Sequence, residues 1–125
     1  MKMRVSGGLL FVTVVINHNG QSLTLNNAIL DTGSRGCVFP TETLEKIGIR
    51  WANTDEFRRL RGIGGSEIIF LKTIDQLVLE NLSCDQLEVE VGAMDYGFGI
   101  EAIIGLDFLL SVGAQIDLAN LEISG

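Results

Sequence analysis

Short apolar runs, broken by turn signals about every ten residues, constrain this chain to a mostly β fold. Residues 9–16, "LLFVTVVI", predict a strand, and the "NHNG" that follows holds Asn19-Gly20, a strong hairpin signal. Residues 21–30 alternate through Leu23 and Leu25 and end apolar at Ile29-Leu30. Residues 36–39 predict a short strand stopped by Pro40. "FRRLRGIGGSEIIFLKTI" predicts two strands around the glycine-rich turn "GIGG", and "QLVLENLSCDQLEVEV" two more with clear alternation. A short helix is expected in "TETLEKIGI", with Thr41 as its cap, Leu44 and Ile47 on one face and Gly48 at its end. Near the C-terminus a buried strand through Ile103-Ile104 turns at Gly105 into a short helix through Phe108-Leu109. A last hairpin follows around Ala119-Asn120. The expected architecture is a small, closed-barrel-like β domain with one or two short helices.

At 125 residues, 46% hydrophobic and 20% charged, the chain has the size and apolar content for one domain over residues 1–125. Its net charge of −7 argues against nucleic acid or an anionic membrane as partner, since both need a basic surface. The cluster Arg58, Arg59 and Arg61 reads as a solvated strand face. Residues 9–16 form too short an apolar stretch to span a bilayer and lead into a turn without a small-x-small cleavage site, so a cytoplasmic location is expected. Cys37 and Cys84 stand in no CxxC or Cys/His pattern; they read as buried free thiols, and no metal or other cofactor is expected. The one histidine, His18, falls in the predicted hairpin turn, which leaves a Ser/His or Cys/His mechanism little support.

The chemistry concentrates in residues 28–39, "AILDTGSRGCVF". An apolar strand delivers Asp31 at its end, where rigid scaffolds often present functional groups, and Thr32, Gly33 and Ser34 follow with almost no bulk. "ILDTGS", then "GIGG" about thirty residues later, then "IIGLDFL" occur in this order. Together they resemble the aspartic proteases, specifically the single-domain retropepsin-like branch related to retroviral proteases and to one lobe of pepsin, over roughly residues 9–123.

The resemblance implies an aspartic endopeptidase with Asp31 as its catalytic acid. It implies that the Thr32 hydroxyl bonds across to a partner's loop and that Gly33 lets two such loops approach. Ile103, Ile104 and Gly105 would lie beside this loop and support it, with Asp107 structural. The hairpin from about residue 58 to residue 70 resembles the flap, with Ile63, Gly64 and Gly65 at its tip. Met94, Tyr96 and Phe98 would join the flap in lining a substrate groove that favours hydrophobic residues. Ser34 is expected to donate its hydroxyl to the outer oxygen of Asp31, favouring the charged form and a more acidic pH optimum. The sequence departs from retroviral proteases at Leu106, where they often carry an arginine, and shows no end segments matching the interlaced termini of their dimers.

Peptide hydrolysis by paired carboxylates needs two acids about 3 Å apart sharing one proton. The ionised member takes a proton from water and the protonated member donates to the carbonyl oxygen. Only one Asp-Thr-Gly exists here, so the resemblance implies a homodimer in which two Asp31 side chains meet, acting on a peptide or protein. The alternative is a non-catalytic module that keeps the fold for peptide binding or dimerisation. A phosphate loop of the actin-like kind, which also uses Asp-x-Gly-Ser after a strand, needs two large domains and further motifs that 125 residues do not supply.

Overall fold

The alternation of Val12, Val14 and Ile16, all fully buried, sets the inner face of the longest apolar run, which forms β2 (Leu9–His18). It folds back on β3 (Gln21–Leu30) through Asn19 and Gly20, with φ of 49° and 76°. Positive φ at both central residues is the twist-matched hairpin turn that Asn-Gly favours. This computed structural model describes residues 2–62, 65–93 and 99–125. Among them the remaining strands are β1 (Arg4–Ser6), β4 (Val38–Pro40), β5 (Phe57–Gly62), β6 (Gly65–Leu79), β7 (Leu82–Gly92), β8 (Ala102–Ile104), β9 (Gln115–Asp117) and β10 (Glu122–Ser124). The helices are α1 (Thr41–Glu45) and α2 (Leu106–Ser111).

The strands order as β1-β2-β3-β8-β4-β7-β6-β5, and β6 also pairs with β2. The hydrogen-bonded path therefore returns to its start through β2, β3, β8, β4, β7 and β6, leaving β1 and β5 as flanking strands. Phe39, Leu44, Ile74, Leu77, Leu79, Ile104 and Phe108 fill the interior with β2. This mostly β, two-helix fold agrees with the sequence expectation. Among the described residues no helix is long and apolar enough to cross a membrane.

Four local readings need correction. The separate strands expected on either side of residues 74–76 are one strand, β6, which pairs with β5 at one end and with β2 and β7 at the other. Polar Asp75 and Gln76 read as a break. Instead Asp75 is bonded across the sheet, its N–H donating to His18 Nδ1 at 3.2 Å and its carboxylate accepting from Asn19 N at 2.9 Å. His18 accordingly lies at the end of β2 rather than in the turn. Pro40 does not stop β4 but completes it and occupies the N-cap of α1; Thr41 is the first helical residue and makes no cap bond. Of the two cysteines, Cys37 is buried and Cys84 only partly so; both are free thiols.

The terminal segments are tied together within the chain. Met3 N donates to Leu121 O at 2.7 Å, Lys2 bridges Glu122, and Met3 and Ile123 are both buried.

Candidate active site

Asp31 follows β3, which runs parallel to β8 with Ala28, Ile29 and Leu30 opposite Ala102, Ile103 and Ile104. One further bond, Asp31 N to Ile104 O at 3.0 Å, carries this ladder past the end of the strand. The carboxylate is thus mounted where the buried end of β3 pairs with β8, and its main chain has little freedom. The chain then turns sharply, with Ser34 N donating to Asp31 O at 3.1 Å and Gly33 N to Asp31 Oδ1 at 2.9 Å. An acid that accepts from the residue two places on makes a compact side-chain turn and orients its own carboxylate.

The back of this loop is packed against the start of α2. Leu106 N donates to Ser34 O at 2.8 Å and Asp107 N to Arg35 O at 3.3 Å. A Cβ on Gly105 would lie 2.2 Å from Gly36 O and 2.9 Å from Ser34 O, so only glycine permits this approach. Cys37 plugs the same junction. Its thiol accepts from Gly105 N and donates to Asp107 Oδ1, both at 3.4 Å, and burial pushes its pKa far above the ordinary thiol range. Asp107 Oδ1 also accepts from Phe108 N at 2.7 Å, so this acid knits the loop to α2.

Ile103 and Ile104 lie alongside Ile29 and Leu30 of β3, and Gly105 sits against Gly36 and Ser34. Thr32 and Gly33 form the exposed tip of the Asp31 loop. Ser34 departs from expectation: its hydroxyl donates to Gly36 O at 2.8 Å, and a hydroxyl has one proton to give, so it does not serve Asp31. Gly65 opens β6 opposite Gly62 in the β5–β6 hairpin. Ile63 and Gly64, and likewise Met94, Tyr96 and Phe98, lie outside the described residues.

A cleft of about 550 Å³ opens beside Asp31, lined by Leu9, Leu10, Ile29, Leu30, Ile100 and Ile103 together with Gly8. Its walls are apolar except for the one carboxylate. Sequence reasoning did not place Leu9, Leu10 or Ile100 here. The signal lay in topology: pairing β3 with both β2 and β8 brings these residues to one side of Asp31. Among the described residues no three His, Cys, Asp or Glu side chains are grouped to hold a metal ion.

A strand-end Asp-Thr-Gly loop backed by the Ile-Ile-Gly segment that joins β8 to α2 defines a class, and residues 12–108 match the family model described as "Aspartyl protease". The chain belongs to this aspartyl protease family, and its domain is retropepsin-like. Its fold is similar to the crystal structure of a retropepsin-like aspartic protease from Rickettsia conorii, with a TM-score of 0.69 at 19% sequence identity, covering 98% of this chain and 86% of that one. No curated protein sequence matches the chain.

Proposed function

We propose that the protein is an aspartic endopeptidase, working over residues 9–123 as a homodimer in which the Asp31 carboxylates of two chains face each other. The observation that carries this reading is the mounting of Asp31: a carboxylate held by the Gly33 N–H of its own loop on a main chain tied to Ile104 O, beside an apolar cleft, with a bare Thr32-Gly33 tip in front of it. The family membership supports the chemistry, and the single Asp-Thr-Gly supports the second chain.

In this mechanism the two carboxylates share one proton. The ionised acid takes a proton from a water as that water attacks the peptide carbonyl, and the protonated acid donates to the carbonyl oxygen. The roles then reverse to protonate the leaving amine. Thr32 would bond across to the partner loop, and Gly33 would let the loops meet. The β5–β6 hairpin would cover the substrate and hold its main chain by strand-like hydrogen bonds. An apolar side chain of the substrate next to the cleaved bond fits the cleft of Leu9, Ile29, Ile100 and Ile103.

The test is cleavage of a mixed peptide library from about pH 3 to about pH 8 by the wild type and by Asp31→Asn, with sedimentation run on the same samples. The expected result is cleavage next to apolar residues by the wild type and a loss of at least ~100-fold in the variant. A dimer that cleaves nothing favours the binding-module reading, and activity confined to monomer excludes the paired-Asp31 mechanism.

A further inference from the structure

The short helix α2 has two unlike sides. Phe108 and Leu109 are buried, whereas Leu106 and Leu110 are 37% and 71% exposed. Residues four apart share a helix face, so these two leucines form one outward apolar stripe. The stripe does not stand alone. With Thr32, Gly33 and Arg35 it lines a shallow groove of about 480 Å³ that runs from the helix to the tip of the Asp31 loop.

From this groove we infer that Leu106 and Leu110 form the seam by which two copies of this chain join, so that α2 supplies the contact that brings the two Asp31 loops together. The inference rests on the paired-carboxylate reading of Asp31. It adds which surface makes the pair.

Three observations commit the groove to a second copy. The loop it borders carries half of a two-carboxylate site, and a contact beginning at its tip completes that site. A two-fold contact sets a surface against itself, so the surface must not repel itself. With a net charge of −7 per chain most surfaces would, but this groove offers two leucines and one cation, Arg35, against one anion, Asp107. Finally, residues 2–6 and 122–124 are already paired within their own chain, by β1 on β2, by β10 on β9 and by the Lys2–Glu122 bridge. An exchange of these segments between copies would first have to break those pairings, and the α2 stripe needs no such step.

The experiment compares the full-length wild type with Leu106→Arg/Leu110→Arg, with Leu110→Arg alone and with Leu118→Arg. Leu118 is 64% exposed, lies between β9 and β10 and serves as control. Sedimentation velocity over a dilution series reads the dimer, thermal melting reads the fold, and cleavage of a peptide identified with the wild type reads activity. The expected result is a dimer dissociation constant raised at least ~100-fold in the double variant and at least ~10-fold in Leu110→Arg. Activity per chain should fall with dilution in step with the dimer, while Leu118→Arg matches the wild type. If the double variant melts at low temperature, Leu110→Arg alone decides, because its side chain is already in solvent. A dimer that survives these replacements unchanged and still cleaves overturns the seam and leaves the protease reading standing. A wild type that dimerises through the seam but cleaves nothing supports the seam and overturns the protease reading. A wild type that is monomeric throughout the series overturns the seam.

Discussion

The two sides of the Asp31 loop are built to opposite standards. Behind it there is no spare room: Cys37, Ile104, Gly105 and Phe108 are buried, the Cys37 thiol accepts from Gly105 N, and Gly105 sits where a single added carbon would meet a carbonyl oxygen at 2.2 Å. In front of it Thr32 and Gly33 are exposed, and Leu106 and Leu110 stand in solvent on the same helix that buries Phe108. The difference separates two tasks. The rear fixes where one carboxylate points, and the front is left unfinished for another surface to complete. Substitutions behind the loop should therefore act on folding, and those in front of it on association.

The sharpest way to break this division is Gly105→Ala. The new methyl would meet the backbone of both Gly36 and Ser34, neither of which can move without unseating the Asp31 turn. A loss on the order of 4–5 kcal/mol is expected, read from urea unfolding. A variant with near-normal stability would show that the loop and α2 are not locked together.

Next come two apolar residues of α2 that face opposite sides, Phe108 inward and Leu110 outward. Phe108→Ala should leave a cavity in the interior and cost about 3–4 kcal/mol. Leu110→Ala, measured at dilution low enough to keep chains apart, should change stability by no more than about 0.5 kcal/mol. Comparable losses at the two positions would mean that the front of the helix is part of the fold after all.

Much of the rear was legible in the sequence, because it is made by strands. Ile29-Leu30 and Ile103-Ile104 are apolar runs that end at a turn, and the burial of Ile29, Leu30 and Ile104 follows from their composition. What the sequence does not expose is which strands become neighbours. The parallel pairing of β3 with β8 joins residues more than seventy positions apart. That pairing, together with the pairing of β3 with β2, brings Ile100, Leu9 and Leu10 into one cleft with Asp31. β6 was misread for a related reason: Asp75 looks like a strand end, yet it is satisfied by His18 and Asn19 across the sheet. The front was the least legible. The sequence marks a short helix through Phe108-Leu109, and only the packing of those two residues decides that Leu106 and Leu110 face out.

Ser34 sharpens the comparison at the edge between the two sides. Its hydroxyl is spent on Gly36 O, a bond that shapes the loop and leaves Asp31 untouched. Ser34→Ala should cost about 1 kcal/mol, as for an ordinary hydrogen bond, and leave the acid limb of the cleavage profile where it was. A shifted limb would mean that the hydroxyl reaches Asp31 when substrate is bound.

The smallest expected effect belongs to Glu90 on β7, which reaches in behind the loop. Its Oε2 lies 3.4 Å from where a Gly36 Cβ would be, with Asp107 Oδ2 3.7 Å from the same point. Burial pushes its carboxyl above the ordinary 4.5; Arg58 and Arg35 oppose this, while Asp107 and Glu88 add to it. A carboxyl that is harder to ionise in the folded chain than in the unfolded one weighs against folding once both states are ionised. That weight lifts as pH falls through the raised folded value, because the folded chain then takes up its proton first. Below the ordinary 4.5 both states are protonated and the penalty is gone. Glu90→Gln removes the charge at every pH. It should therefore raise the urea midpoint slightly near neutrality, and the gain should shrink steadily to nothing as the medium is acidified past that value. A gain that is the same at both ends of the range would instead assign it to packing of the amide. A loss at neutrality would mean that the attraction of Arg58 and Arg35 outweighs burial, making this acid a clasp on the rear of the loop rather than a strain within it.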